Sequence, residues 1–128
     1  MNLELQWLVW SIALGLVHLM AYACVILKTE GVMWTAGPRD EGQPQYGLAG
    51  RLARAQRNYM ETWPFFAVAV LLAHVMARES AQTALGCQLY FWSRVIYLPL
   101  YAFGVRWVRS LAWVVSMLGL VMILGALF

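Results

Sequence analysis

The chain has 128 residues, 62% of them hydrophobic and only 12% charged, with a net charge of +3. A soluble domain of this length needs far less apolar surface for its core, and nine basic residues against six acidic ones give no basic face for nucleic acid. The composition points to an integral membrane protein.

Residues 5–27 carry no Asp, Glu, Lys or Arg, and as a helix they are long enough to cross ~30 Å of hydrocarbon. No basic residue precedes this run and it exceeds a signal-peptide core, so the cleavage-like Ala21-Tyr22-Ala23 reads as accidental and the segment as a first span. His18 is isolated among apolar residues, as is His74 further on. Both read as satisfied or interface-facing imidazoles in preference to ligands or proton relays. Cys24 and Cys87 fall inside spans as small packing residues without a disulfide, and no metal centre is expected.

Residues 28–50 hold the chain's cluster of turn formers, Gly31, Gly37-Pro38, Gly42, Pro44 and Gly47, mixed with Lys28, Glu30, Arg39, Asp40 and Glu41, and read as a loop. Residues 51–61 follow as a polar helical stripe. At about 100° per residue Arg54, Asn58 and Glu61 lie within roughly 60° of one another, flanked by Arg51 and Arg57. Lipid cannot face that stripe, which must line a cavity, a subunit interface or a wet headgroup cleft. It runs into the apolar residues 62–77, which are short for a span by themselves and contain Pro64 as an expected kink.

Residues 80–105 form the third span, interrupted only by Arg94. A central arginine costs about 2.5 to 3.5 kcal/mol on an isolated helix, so something must compensate for it. Tyr90, Arg94, Tyr97 and Tyr101 share an arc of about 60° on the helical wheel. Glu61, the acidic residue at comparable depth, is the expected counter-ion; an ion pair between the second and third helices stands beside a ligand-contacting role for Arg94.

Residues 110–128 form the fourth span, opened by Arg109-Ser110 with Arg106 one turn earlier. A cation at a helix N-terminus opposes the macrodipole, but an anion there is held by Arg109, by the free N–H groups and by the Ser110 hydroxyl. The plainer alternative is a snorkelling arginine that only fixes topology. Basic residues concentrate between the first and second spans and between the third and fourth, leaving Arg78 in the remaining connection. By the positive-inside rule both charged connections face the cytoplasm and both termini the other side. The expectation is one all-α, four-helix membrane domain over residues 1–128.

Arg51-Leu-Ala-Arg54-Ala-Gln56-Arg57-Asn58-Tyr-Met-Glu61-Thr-Trp-Pro64-Phe65 closely resembles the signature of the MAPEG family, the membrane-associated proteins in eicosanoid and glutathione metabolism. The likeness extends over the whole chain and is greatest to the short bacterial branch, which implies a bacterial inner membrane. It implies homotrimers that bind glutathione in a cleft between neighbouring subunits near the cytoplasmic face. By motif, Arg54, Arg57, Asn58 and Glu61 would be contacts from the second helix, with Gln56 in support and Arg94 nearby. Tyr97 and Tyr101 would close over the tripeptide, and Arg109 would stabilise the thiolate, with Ser110 beside it. Asp40 matches a loop aspartate proposed to act in prostaglandin isomerisation.

Glutathione carries two carboxylates and an ammonium, which several arginines and one carboxylate would meet. Lowering its thiol pKa by two units takes about 2.7 kcal/mol of preferential thiolate stabilisation. These residues favour a glutathione-dependent transferase or peroxidase that meets lipophilic electrophiles arriving through membrane lipid. A non-catalytic lipid-binding or scaffold protein of the same fold is the alternative. A small transporter would want a polar path through the bilayer, whereas the polar residues here gather toward one side.

Overall fold

The computed structural model describes residues 2–38 and 47–128. Asn2 starts α1 (Leu3–Ala36): its side-chain oxygen accepts the free N–H of Glu4 at 2.9 Å and that of Leu5 at 3.5 Å. The helix runs on through residues 28–36, the first part of what the turn formers suggested was loop, and only Gly31, at φ +83°, departs from helical geometry. Thr35 then donates to the Gly31 carbonyl at 2.7 Å and restarts the helical path. At Gly31 two helical stretches meet across a kink, so part of the expected loop between the first two spans is helical. Residues 39–46, with Arg39, Asp40, Glu41, Gly42 and Pro44, lie outside the described residues.

The second helix, α2 (Gly47–Val75), takes in the polar stripe and the apolar segment as one element and continues through Pro64. Ser80 and Thr83 open α3 (Ala81–Ala102) with reciprocal capping: the Thr83 hydroxyl accepts from the Ser80 N–H at 2.8 Å, and the Ser80 hydroxyl accepts from the Thr83 N–H at 3.4 Å. A tight turn leads to α4 (Trp107–Leu127), which starts three positions before the Ser110 expected from the sequence.

The closest packing joins α3 to α4. A Cβ on Gly86 would stand 2.6 Å from the Gly119 carbonyl oxygen, and one on Gly119 would stand 2.5 Å from that of Gly86, so the two backbones touch there. The α1 helix packs on α2 and α3, as does α4 from the opposite side, and among the described residues α1 and α4 do not meet. Leu8, Leu14, Phe66, Val70, Cys87, Tyr90 and Ile123 fill the core. The cross-links at the two ends fix an up-and-down order. Glu4 accepts from Thr83 at 2.8 Å and Gln82 donates to the Met122 carbonyl at 2.8 Å at one end, while Tyr22 and Ile26 pack with Ala49 and Leu52 at the other.

By length and apolarity α1 and α4 each suffice to cross a bilayer; α2 and α3 fall short of that measure because of their polar positions. Outward faces such as Val9, Trp10, Leu72, Val114, Leu118 and Val121 are apolar and exposed. Lys28, Arg51, Arg54, Arg57, Arg106 and Arg109 gather at the end that holds the turn before α4, and Arg78 lies at the opposite end.

Candidate functional site

The stripe on α2 divides among three directions once the helix is packed. Arg54 and Asn58, one turn apart, turn toward α3. Gln56 turns toward α1 and, with Ser11, Gly15, Tyr59 and Trp63, lines a shallow cavity of about 270 Å³. Arg57 and Glu61 are exposed on the outer face beside Met60.

Arg94 is fully buried. Its Nη1 donates to Asn58 Oδ1 at 2.8 Å, and its guanidinium lies 4.3 Å from the Tyr97 ring centre and 5.4 Å from that of Tyr59. The expected Glu61 counter-ion is therefore corrected: the charge is met by an amide oxygen and two aromatic faces. Glu61 stands three positions after Asn58, and the 60° between them carries it from the helix interface to the exposed face. Among the described residues the ion pair that forms is His74–Glu79, at 3.4 Å beside the turn between α2 and α3. Among the described residues Arg94 Nε and Nη2 are buried without a hydrogen-bond partner.

Tyr101 joins the remaining cations. Its hydroxyl accepts from Arg54 Nε at 3.2 Å, its ring centre lies 4.5 Å from the Arg109 guanidinium, and its centroid is 5.5 Å from that of Tyr97. Arg51 Nε donates to the Ala102 carbonyl at 2.7 Å, one residue further along α3. Asn58, Arg94, Tyr97, Tyr101, Arg54 and Arg109 thus form one continuous cluster between α2, α3 and the start of α4. Arg109 is the third residue of α4, in the turn whose first N–H groups have no helical acceptor. Ser110 does not join the cluster: it is exposed and its hydroxyl folds back onto the Arg106 carbonyl at 3.3 Å.

Tyr59 is the residue the sequence reading passed over. It donates to the Ser11 carbonyl at 2.5 Å, stacks on His18 with centroids 4.7 Å apart, and floors the Arg94 site. Trp63, one turn on, donates to the Ser11 hydroxyl at 2.9 Å. Two amphipathic aromatics at i and i+4 beside a polar stripe were the available signal. His18 is buried and, among the described residues, neither ring nitrogen has a hydrogen-bond partner, so the satisfied half of the expectation is not met within this chain. Cys87 is buried in the core and Cys24 exposed, both with free thiols.

Beside Arg109 an apolar groove of about 410 Å³ runs between α3 and α4, lined by Leu85, Gln88, Trp92, Ile96, Val108 and Ala112 among others. Its lining is almost wholly hydrocarbon, and Val108 brings one end of it next in sequence to Arg109. That arrangement suits an anionic, polar molecule meeting a lipophilic one.

A search among curated proteins finds no match for the chain. The model of the MAPEG family matches residues 7–128, a span that takes in nearly all of α1, the other three helices and every residue of the cluster. The chain belongs to the MAPEG family.

Proposed function

We propose that the protein is a membrane-bound, glutathione-dependent transferase or peroxidase acting on lipophilic electrophiles, with four spanning helices, homotrimeric assembly and the site near the cytoplasmic face. The observation that carries this reading is the convergence of Arg54, Asn58, Arg94, Tyr97, Tyr101 and Arg109, in which Arg94 keeps two buried donors without a partner among the described residues. Glutathione carboxylates match such donors. Arg57 and Glu61, charged groups exposed on α2 next to the apolar Met60, favour a neighbouring subunit against α2, with Glu61 available to the ammonium of the tripeptide. Gln56 would then serve the site from the α1 side.

In this reading Arg109 and the first turn of α4 stabilise the thiolate, and the thiol proton passes to water because an arginine does not accept it. The sulfur attacks the electrophilic carbon, forming a C–S bond as the leaving group departs with its electron pair. With a hydroperoxide, sulfur takes one oxygen and the alcohol leaves; a second glutathione then gives the disulfide and water. The lipophilic partner reaches the sulfur from the bilayer, along grooves such as that between α3 and α4.

Calorimetry, thiolate absorbance and turnover of 1-chloro-2,4-dinitrobenzene by the detergent-purified protein test the proposal. Wild type should bind glutathione and ionise it, and Arg109→Ala should keep assembly and most of the binding while losing most of the turnover. Binding without a thiolate band or turnover would leave the lipid-binding scaffold as the better account. Native mass spectrometry in mild detergent should show trimers; a monomer that still binds the thiol would exclude an intersubunit site.

A further inference from the structure

The end of α3 forms a turn in which two backbone donors reach back over Gly104, at φ +74°. The Val105 N–H donates to the Leu100 carbonyl at 2.9 Å and the Gly104 N–H to that of Tyr101 at 3.0 Å. This pattern leaves the Ala102 carbonyl, one of the last of the helix, without a backbone donor among the described residues. Arg51 of α2 fills the gap, its Nε donating to that oxygen at 2.7 Å. A guanidinium suits the place, since the C-terminal end of a helix carries partial negative charge. Arg51 has no acidic partner among the described residues, so the carbonyl is the one strong acceptor it meets there.

Ala102 directly follows Tyr101, whose ring carries Arg109 and whose hydroxyl accepts from Arg54. Arg51 and Arg54, one turn apart on α2, therefore grip consecutive residues of α3, one through the backbone and the other through a side chain. Only Phe103, Gly104, Val105 and Arg106 separate α3 from α4, so a displaced α3 terminus shifts the turn that carries Arg109.

We infer that Arg51 is a positioning residue, holding the α3 terminus so that Arg109 stands over Tyr101 where the thiol anion would be met. The inference rests on the glutathione reading of the site. Full-length protein carrying Arg51→Ala, Arg51→Lys, Arg51→Gln, Arg109→Ala and the Arg51→Ala/Arg109→Ala pair tests it through kcat, glutathione affinity and thiolate absorbance. Arg51→Ala should lower kcat about tenfold and weaken the thiolate band, with glutathione affinity within about twofold of wild type. Arg51→Lys, which keeps a cationic donor, should recover most of the loss, and Arg51→Gln less. Because Arg51 acts through Arg109, its replacement in the Arg109→Ala background should cost nothing more.

Unchanged kcat in Arg51→Ala, a matching loss of affinity, or additive losses in the pair would overturn the assignment. If Arg51→Ala does not assemble, equal turnover in the Lys and Gln variants overturns it. Wild-type turnover by Arg109→Ala would remove the reading of the site and this assignment together. An inactive Arg109→Ala beside an unaffected Arg51→Ala removes the assignment alone.

Discussion

Arg94 carries a charge into the middle of the helix bundle and finds an amide oxygen there in place of a carboxylate. A hydrogen bond to a charged group is worth about 1.5 to 3 kcal/mol, so Asn58→Leu should lower the stability of the detergent-solubilised protein by that order. Glu61→Gln, at an exposed position, should change it by no more than about 0.5 kcal/mol in the isolated subunit. Thermal unfolding at matched detergent and protein concentration compares the two. The reverse ranking would restore Glu61 as the counter-ion. The same logic explains why the tyrosines matter: an aromatic face is the partner a buried guanidinium takes when no acid is in reach, and Tyr59 and Tyr97 supply two such faces.

At the scale of the helices, the α3–α4 crossing fixes how α4 presents Arg109. Gly119→Ala would set a methyl 2.5 Å from the Gly86 carbonyl oxygen and 2.8 Å from the Tyr90 backbone nitrogen, positions that backbone cannot yield cheaply. Overpacking of that kind costs about 1 to 3 kcal/mol, read as a lower thermal midpoint. Gly125→Ala is the control, since its new Cβ would meet only the end of the Gln82 side chain, at 3.6 Å, and should be neutral or mildly stabilising. The helix ends follow from single residues. Gly31 bends α1 where its surroundings suggested a loop, and Gly104 turns the chain sharply enough to bring α4 back beside α3.

For the whole molecule, the even number of helices places both described termini at one end and the basic cluster at the other. Under the positive-inside rule, a reporter fused after Phe128 should be active only on the non-cytoplasmic side. A cytoplasmic signal would invert the molecule and move the basic cluster to the other compartment. The outer surface is largely apolar through the middle of the helices; α2 exposes Arg57 and Glu61 there, whereas the exposed Lys28, Thr29 and Glu30 of α1 lie nearer its end. Lipid solvates the first kind of surface and not the second, so assembly should bury the outer face of α2 in preference to that of α1.

The sequence by itself determined the helix count, the polar stripe, the gathering of basic residues and the family, because each is written in composition, in a period of 3.6 or in a contiguous motif. It also placed Arg94, Tyr97 and Tyr101 on one face, since angles within a single helix follow from spacing alone. The rotation of each helix about its own axis against its neighbours does not follow from spacing. Packing set it, through the contact of Gly86 with Gly119 and the stacking of Phe66 on Tyr90 at 4.1 Å. That rotation chose Asn58 over Glu61 as the partner of Arg94 and turned Ser110 away from the cluster. It also brought Arg51 to a backbone carbonyl, an acceptor every residue carries and no side-chain pattern can announce.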